Sequence, residues 1–139
     1  MPVVTRLVTH VELDEAWTTP AQLSVSARLD AELSDGRTLV LLDDRGWSES
    51  VVGDGDIRAF LTAEDIEDSA RTVVGPDEPF GDETREQAQA AHWAALAALV
   101  EARAQGVRAD AAELSRLTHT VVLGDRLRAW AGLDAPREN

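Results

Sequence analysis

Between Leu23 and Leu33 every odd position is apolar and every even one polar. Leu23, Val25, Ala27, Leu29, Ala31 and Leu33 alternate with Ser24, Ser26, Arg28, Asp30 and Glu32. A period of two puts one set on each face of a pleated chain, so the segment predicts a half-buried β-strand. Ser34-Asp35-Gly36-Arg37 follows, and its Asp-Gly step suits the positive φ of a tight hairpin. Thr38 to Leu42 then returns as a more fully apolar strand. An earlier strand is expected over Val3 to Leu13, where Val3, Leu7, Val11 and Leu13 hold odd positions and His10, Glu12 and Asp14 end the even ones. Asp14 to Pro20 reads as a loop carrying Trp17. A further turn is expected at Asp43-Asp44-Arg45-Gly46, before Trp47, and a short strand near Ser50 to Val52 would complete a small antiparallel sheet.

Beyond Gly53-Asp54-Gly55-Asp56 the period changes. Thr62-Ala63-Glu64-Asp65 resembles a capping box with Asp in place of Glu, the hydroxyl accepting from an orphan amide of a helix start. Ile66, Ala70, Val73 and Val74 recur at helical spacing until Gly75-Pro76 stops the run. A polar loop with Pro76, Pro79 and Phe80 leads to a longer, alanine-rich helix from about Glu83 to Ala104, whose apolar stripe is Trp93, Leu96, Leu99 and Val100. Asp110 caps a short helix through Leu114 and Leu117. Thr118 to Leu123 has strand propensity, yet Leu123, Leu127 and Trp130 also fall at i, i+4 and i+7. A helix is expected from Asp125, with 118–123 left open between strand and helix.

The architecture that follows is α+β: a small antiparallel N-terminal sheet, covered on one face by three or four C-terminal helices. A chain of 139 residues suits one domain. It would be β-rich over 1–52 and helical over 57–133, with a tail at 134–139 that frays. The apolar face of Leu23–Leu33 needs a cover, and the helix with Trp93 and Leu96 is the candidate. Pairing of the sheet across two chains, as a homodimer, is an alternative.

Charge changes this picture more than composition does. The chain carries 26 acids against 13 cations, a net charge of −13. Ten of those charges come from Asp43 to Glu86, where fourteen carboxylates meet four arginines (14 − 4 = 10). Such a balance opposes binding to nucleic acid or to an anionic membrane, because both repel it. The absence of cysteine excludes disulfides and thiolate metal sites. No apolar run approaches the roughly 20 residues of a membrane span, and Met1 to Arg6 has no signal-peptide pattern, so a cytoplasmic setting is expected. All thirteen cations are arginine, the usage of a GC-rich bacterial genome.

Candidate chemistry is sparse. His10, Glu12 and Asp14 share a strand face at a spacing that can present metal ligands, but no second cluster completes a site, and a solvated sheet edge accounts for them. The Gly53–Asp56 stretch fails as a calcium loop, because Arg58, Ala59 and Phe60 occupy positions that need oxygen or the turn glycine. No phosphate-cradling glycine motif or nucleophile elbow is present, and no cofactor or catalytic residue is nominated. His92-Trp93 reads as packing. Carboxylates at helix starts (Glu64, Asp65, Glu67, Asp68, Asp82, Glu83) complement the helix dipole. The acids of turns and loops have no such account: Asp43, Asp44, Asp54, Asp56, Asp77 and Glu78. The leading expectation is therefore a non-catalytic binding protein that meets a basic protein partner through those acids, as immunity proteins, antitoxins and adaptors do. The alternatives are a small-molecule binder or enzyme with a pocket near His10, Trp17 and Trp47 at the strand ends, and a structural oligomerisation domain.

Overall fold

The computed structural model of the chain describes residues 2–53 and 55–133. Three strands, β1 (Val4–Leu13), β2 (Gln22–Leu33) and β3 (Thr38–Ser50), form an antiparallel meander. A 3₁₀ turn (Ile57–Phe60) and three helices follow: α1 (Ala63–Val73), α2 (Arg85–Arg103) and α3 (Ala111–Ser115). The chain then returns as β4 (His119–Leu123) and ends its described part in α4 (Asp125–Ala131). Sheet order is β3-β2-β1-β4, with β4 parallel to β1. The fold is α+β. The segment 118–123, open between strand and helix on sequence alone, is strand from His119, and the sheet is mixed rather than purely antiparallel.

Alternation in β2 sorts the two faces of the sheet. Its odd residues, Leu23 to Leu33, are buried, and all four helices pack on that side. Leu96 and Val100 of α2 with Leu114 of α3 cover Leu29, Ala31 and Leu33. Ile66 and Ala70 of α1 with Leu127 of α4 cover Val11, Leu23 and Val25. Trp47 sits where the two clusters meet, in contact with both. The expected cover, α2, thus spans only half of the β2 face, and α1 and α4 supply the rest. Among the described residues the helices join the clusters of the odd face, and the even face carries Arg6, His10, Arg28, Asp30 and Glu32.

Local signals set most boundaries. Thr62 Oγ1 accepts from Asp65 N at 3.1 Å, and Asp65 Oδ2 accepts from Thr62 N at 3.2 Å, a reciprocal box at the start of α1. Thr84 and Gln87 repeat the arrangement at α2. Asp110 caps α3 through Ala112 N at 3.0 Å. In the β2–β3 hairpin Gly36 takes φ 90° and Asp35 stays at negative φ, its carboxylate bonding Arg37 instead.

The expected turn at Asp43–Gly46 is not a turn. β3 runs straight through it, with Leu42 opposite Leu29 and Arg45 opposite Ala27. Asp43 and Asp44 therefore face the single residue Arg28, as a β-bulge that takes up the extra residue. Gly46 belongs to the ladder: a Cβ there would lie 2.5 Å from Val25 O, so the close approach of β2 requires glycine.

Candidate functional site

The bulge in β3 aims Arg45 outward from the sheet edge towards the connection between α1 and α2. Its Nη1 donates to Val73 O at 3.2 Å, the last residue of α1, and to Asp77 Oδ1 at 3.2 Å. Its Nε lies 3.6 Å from Asp44 Oδ1. The arginine is three-quarters covered, whereas the side chains of Asp44 and Asp77 are 82% and 83% exposed. One acid from each of two pairs singled out from sequence, Asp44 and Asp77, is thus held by the same guanidinium. Asp43 and Glu78 beside them are exposed, and Arg71 and Arg85 line a hollow with Asp77 and Glu78.

The 75–83 connection adds an aromatic ring to this acidic edge. Phe80 is 89% exposed, with Asp77 and Glu78 before it and Asp82 and Glu83 after it. The ring sits on a hydrogen-bonded turn: Glu83 N donates to Phe80 O at 3.1 Å, Phe80 N donates to Glu83 Oε1 at 3.3 Å, and Gly81 takes φ 63° between them. An exposed phenyl ring forgoes the burial that would stabilise the free protein, by about 1.5–3 kcal/mol for a full side chain. On sequence alone Phe80 reads as one residue of a polar loop. The available signal was an aromatic outside any apolar period, between two proline- and glycine-bearing turns.

Behind the loop lies a cleft of about 320 Å³. Ala88, Ala91 and Ala95 of α2 form its floor, Leu42 and Leu99 its wall, and Arg45, Asp77, Glu83 and His92 its polar rim. The alanines recur at i, i+3 and i+7, one face of the helix, and their short side chains leave the space open. His92 stands edge-on to Trp93, with ring centroids 5.1 Å apart. Burial holds its imidazole below the usual histidine range, and the nearby Arg45 lowers it further against the opposing pull of Asp77. Its buried Nε2 has no hydrogen-bond partner among the described residues, and neither has the buried Nε1 of Trp47.

The other residues nominated from sequence fall elsewhere. Asp56 caps the 3₁₀ turn through Arg58 N and binds the Arg58 guanidinium through both oxygens. The side-chain bond from Arg58 holds its carboxyl below the usual aspartate range. Arg58 in turn lies 5.5 Å over the ring of Trp130, so Asp56 has a structural account. Asp54 lies outside the described residues, as does the tail at 134–139. His10 is on the open even face, 3.4 Å from Asp30 Oδ2, while Trp47 is on the helical face and Trp17 projects from the β1–β2 loop. The structure does not bring these three together. A separate hollow at that loop is lined by Leu13, Thr18, Ala129 and Trp130.

Among the described residues no group of three or more histidine, aspartate or glutamate side chains is arranged to hold a metal ion. Nor is any helix among them long and apolar enough to cross a membrane. No protein family, curated protein or solved structure matches this chain. The geometry of the acidic edge is therefore what a functional reading has to rest on.

Proposed function

We propose that this is a non-catalytic binding protein that engages a basic protein partner through the Phe80 loop and the carboxylates around Arg45. The observation that carries the reading is Phe80: a ring 89% exposed, on a hydrogen-bonded turn, with two acids on either side. Binding energy in protein interfaces concentrates on a few central side chains that bury on contact, surrounded by a polar rim that excludes water. A phenyl anchor within a carboxylate rim has that form. The rim contributes in a second way. Exposed charges of one sign steer a partner of the other sign into encounter, which raises the association rate more than the final affinity. Asp44 and Asp77, held by Arg45 yet exposed, keep that field in a fixed place.

The test is capture from a lysate of the source cells at low and at physiological salt, with the wild-type protein and with Phe80→Ser side by side. A basic protein should be retained at low salt by the wild type and lost with Phe80→Ser. Its association rate should fall steeply as salt rises. A captured partner of acidic character, or binding indifferent to salt over that interval, defeats the reading.

A further inference from the structure

The cleft behind the Phe80 loop combines three features that belong together chemically. Its floor is apolar and shallow, made of alanines that leave room for an aliphatic chain. Ala91 and Ala95 on that floor are exposed, so the space is open to solvent and not an internal packing defect. Among the described residues its rim is anionic, since Asp77 and Glu83 reach it and the Arg45 guanidinium beside them is already bonded to Asp77 and to Val73 O. A volume of about 320 Å³ is at the small end of the range for ligand sites.

We infer that this cleft is a specificity pocket for a single lysine or arginine side chain of the partner. The aliphatic stem lies along Ala88, Ala91 and Ala95, and the cationic end meets Asp77 and Glu83. Long cationic side chains bury their methylenes on apolar surface and keep the charged head at a polar rim, and a cleft of this shape offers both environments in the required order. An anionic side chain would meet two carboxylates at the entrance. A purely apolar one would take water from both carboxylates and bring no cation in exchange, which costs free energy. The inference rests on the binding function proposed above and deepens it, by stating which part of a basic partner is read and where. Phe80, on the loop that forms one side of the cleft, then packs against the partner beside the inserted side chain.

The inference is tested with the full chain and four capped glycine pentapeptides carrying arginine, lysine, norleucine or glutamate at the centre. Methyl resonances of Ala88, Ala91 and Ala95 report occupancy directly. Arginine and lysine peptides should shift them in a saturable way, and norleucine and glutamate peptides should bind about tenfold more weakly or not at all. Ala91→Leu fills the cleft from an exposed position and should abolish the shifts without unfolding the protein. Asp77→Asn with Glu83→Gln should weaken the cationic peptides and spare norleucine. Equal shifts from norleucine and arginine, or shifts that survive Ala91→Leu, overturn the inference. So does an absence of any shift at high peptide concentration. Failure of the wider reading is distinguishable. If lysate capture depends on Phe80 and salt but not on Ala91→Leu, only the pocket falls. If capture is indifferent to Phe80→Ser as well, the binding function falls with it.

Discussion

Gly124 has φ −68° and ψ 161°, a conformation open to any residue, so backbone strain does not explain the glycine. Space explains it. A Cβ there would sit 2.0 Å from Oε2 and 2.4 Å from Cδ of Glu12. That carboxylate comes from the end of β1, and its Oε1 accepts from Leu13 N at 2.7 Å and from Leu127 N at 3.0 Å. Leu127 is the third residue of α4, and Gly124 is the N-cap of that helix with no side chain to offer. Glu12 thus caps α4 from 115 residues away in sequence. Losing an N-cap acceptor costs about 1 kcal/mol, and a bond to an ionised partner contributes up to about 3 kcal/mol. The Glu12 side chain is about one-third exposed, so water recovers part of that. We expect Glu12→Ala to cost about 2 kcal/mol, or roughly 7 °C in Tm for a chain of this size. Gly124→Ala should cost a similar amount, because its methyl group evicts the carboxylate. Combined, the two should cost hardly more than either alone, a coupling of about 1–2 kcal/mol in a double-mutant cycle. Urea unfolding followed by tryptophan fluorescence measures all four corners. If Gly124→Ala is as costly without Glu12 as with it, the glycine is not making room for this cap and the reasoning is wrong.

Three further outcomes are expected. Thr84→Ala removes one half of the box that starts α2 and should lower stability by about 1 kcal/mol, whereas Thr84→Ser should restore most of it; thermal unfolding of the three proteins decides. Burial, helped by Arg71 beside His119 and by Arg45 beside His92, holds both imidazoles below the ordinary value of 6.5. The unfolded chain therefore binds more protons than the folded one below that value, so stability should be level above pH 6.5 and fall as pH drops from there towards the depressed values. Replacing His119 by Gln should flatten that fall in denaturant titrations at successive pH, and an unchanged slope would refute the assignment. Arg45→Ala should leave global stability within about 1 kcal/mol, as expected for a partly exposed ion pair, yet speed amide exchange across 75–83 where the guanidinium braces the loop.

Sequence legibility followed the range of the interactions. Strand β2 and its hairpin were readable, because alternation and an Asp-Gly step are local, and so was the Thr62 box. The segment 118–123 was not, because five residues of strand propensity need a partner to decide them, and that partner, β1, lies more than 100 residues earlier. The bulge at Asp43–Asp44 reads as a turn on sequence alone for a related reason. Two acids followed by Arg and Gly have the composition of a turn, and only the unbroken ladder with β2 on either side shows that the strand continues. Asp77 could not be matched to Arg45 from sequence, since nothing local links a loop acid to a bulge 32 positions earlier. Phe80 illustrates the limit in reverse. Its aromatic identity was visible, but exposure is a property of what fails to cover it.

The two faces of the molecule also dispose of their charge differently. On the open face Arg6 binds Glu32 through both oxygens and Arg28 does the same to Asp30, which is only 3% exposed. His10 closes the row at 3.4 Å from Asp30. Each acid there has a cation of its own, so the face presents paired charges and little net field. At the acidic edge the balance differs: Arg45 pairs with Asp44 and Asp77, and Arg71 and Arg85 line a hollow with Asp77 and Glu78, yet fourteen carboxylates meet four arginines over Asp43–Glu86, and Asp43, Asp44, Asp77 and Glu78 stay exposed. A long-range field depends on charge left uncompensated, not on the number of charged residues. Electrostatic steering should therefore act at the Phe80 edge and leave the sheet face inert, even though both carry many ionised groups. Neutralising Asp44 and Asp77 together should slow association with a basic partner and shallow its salt dependence, whereas neutralising Arg6 and Glu32 together should change neither.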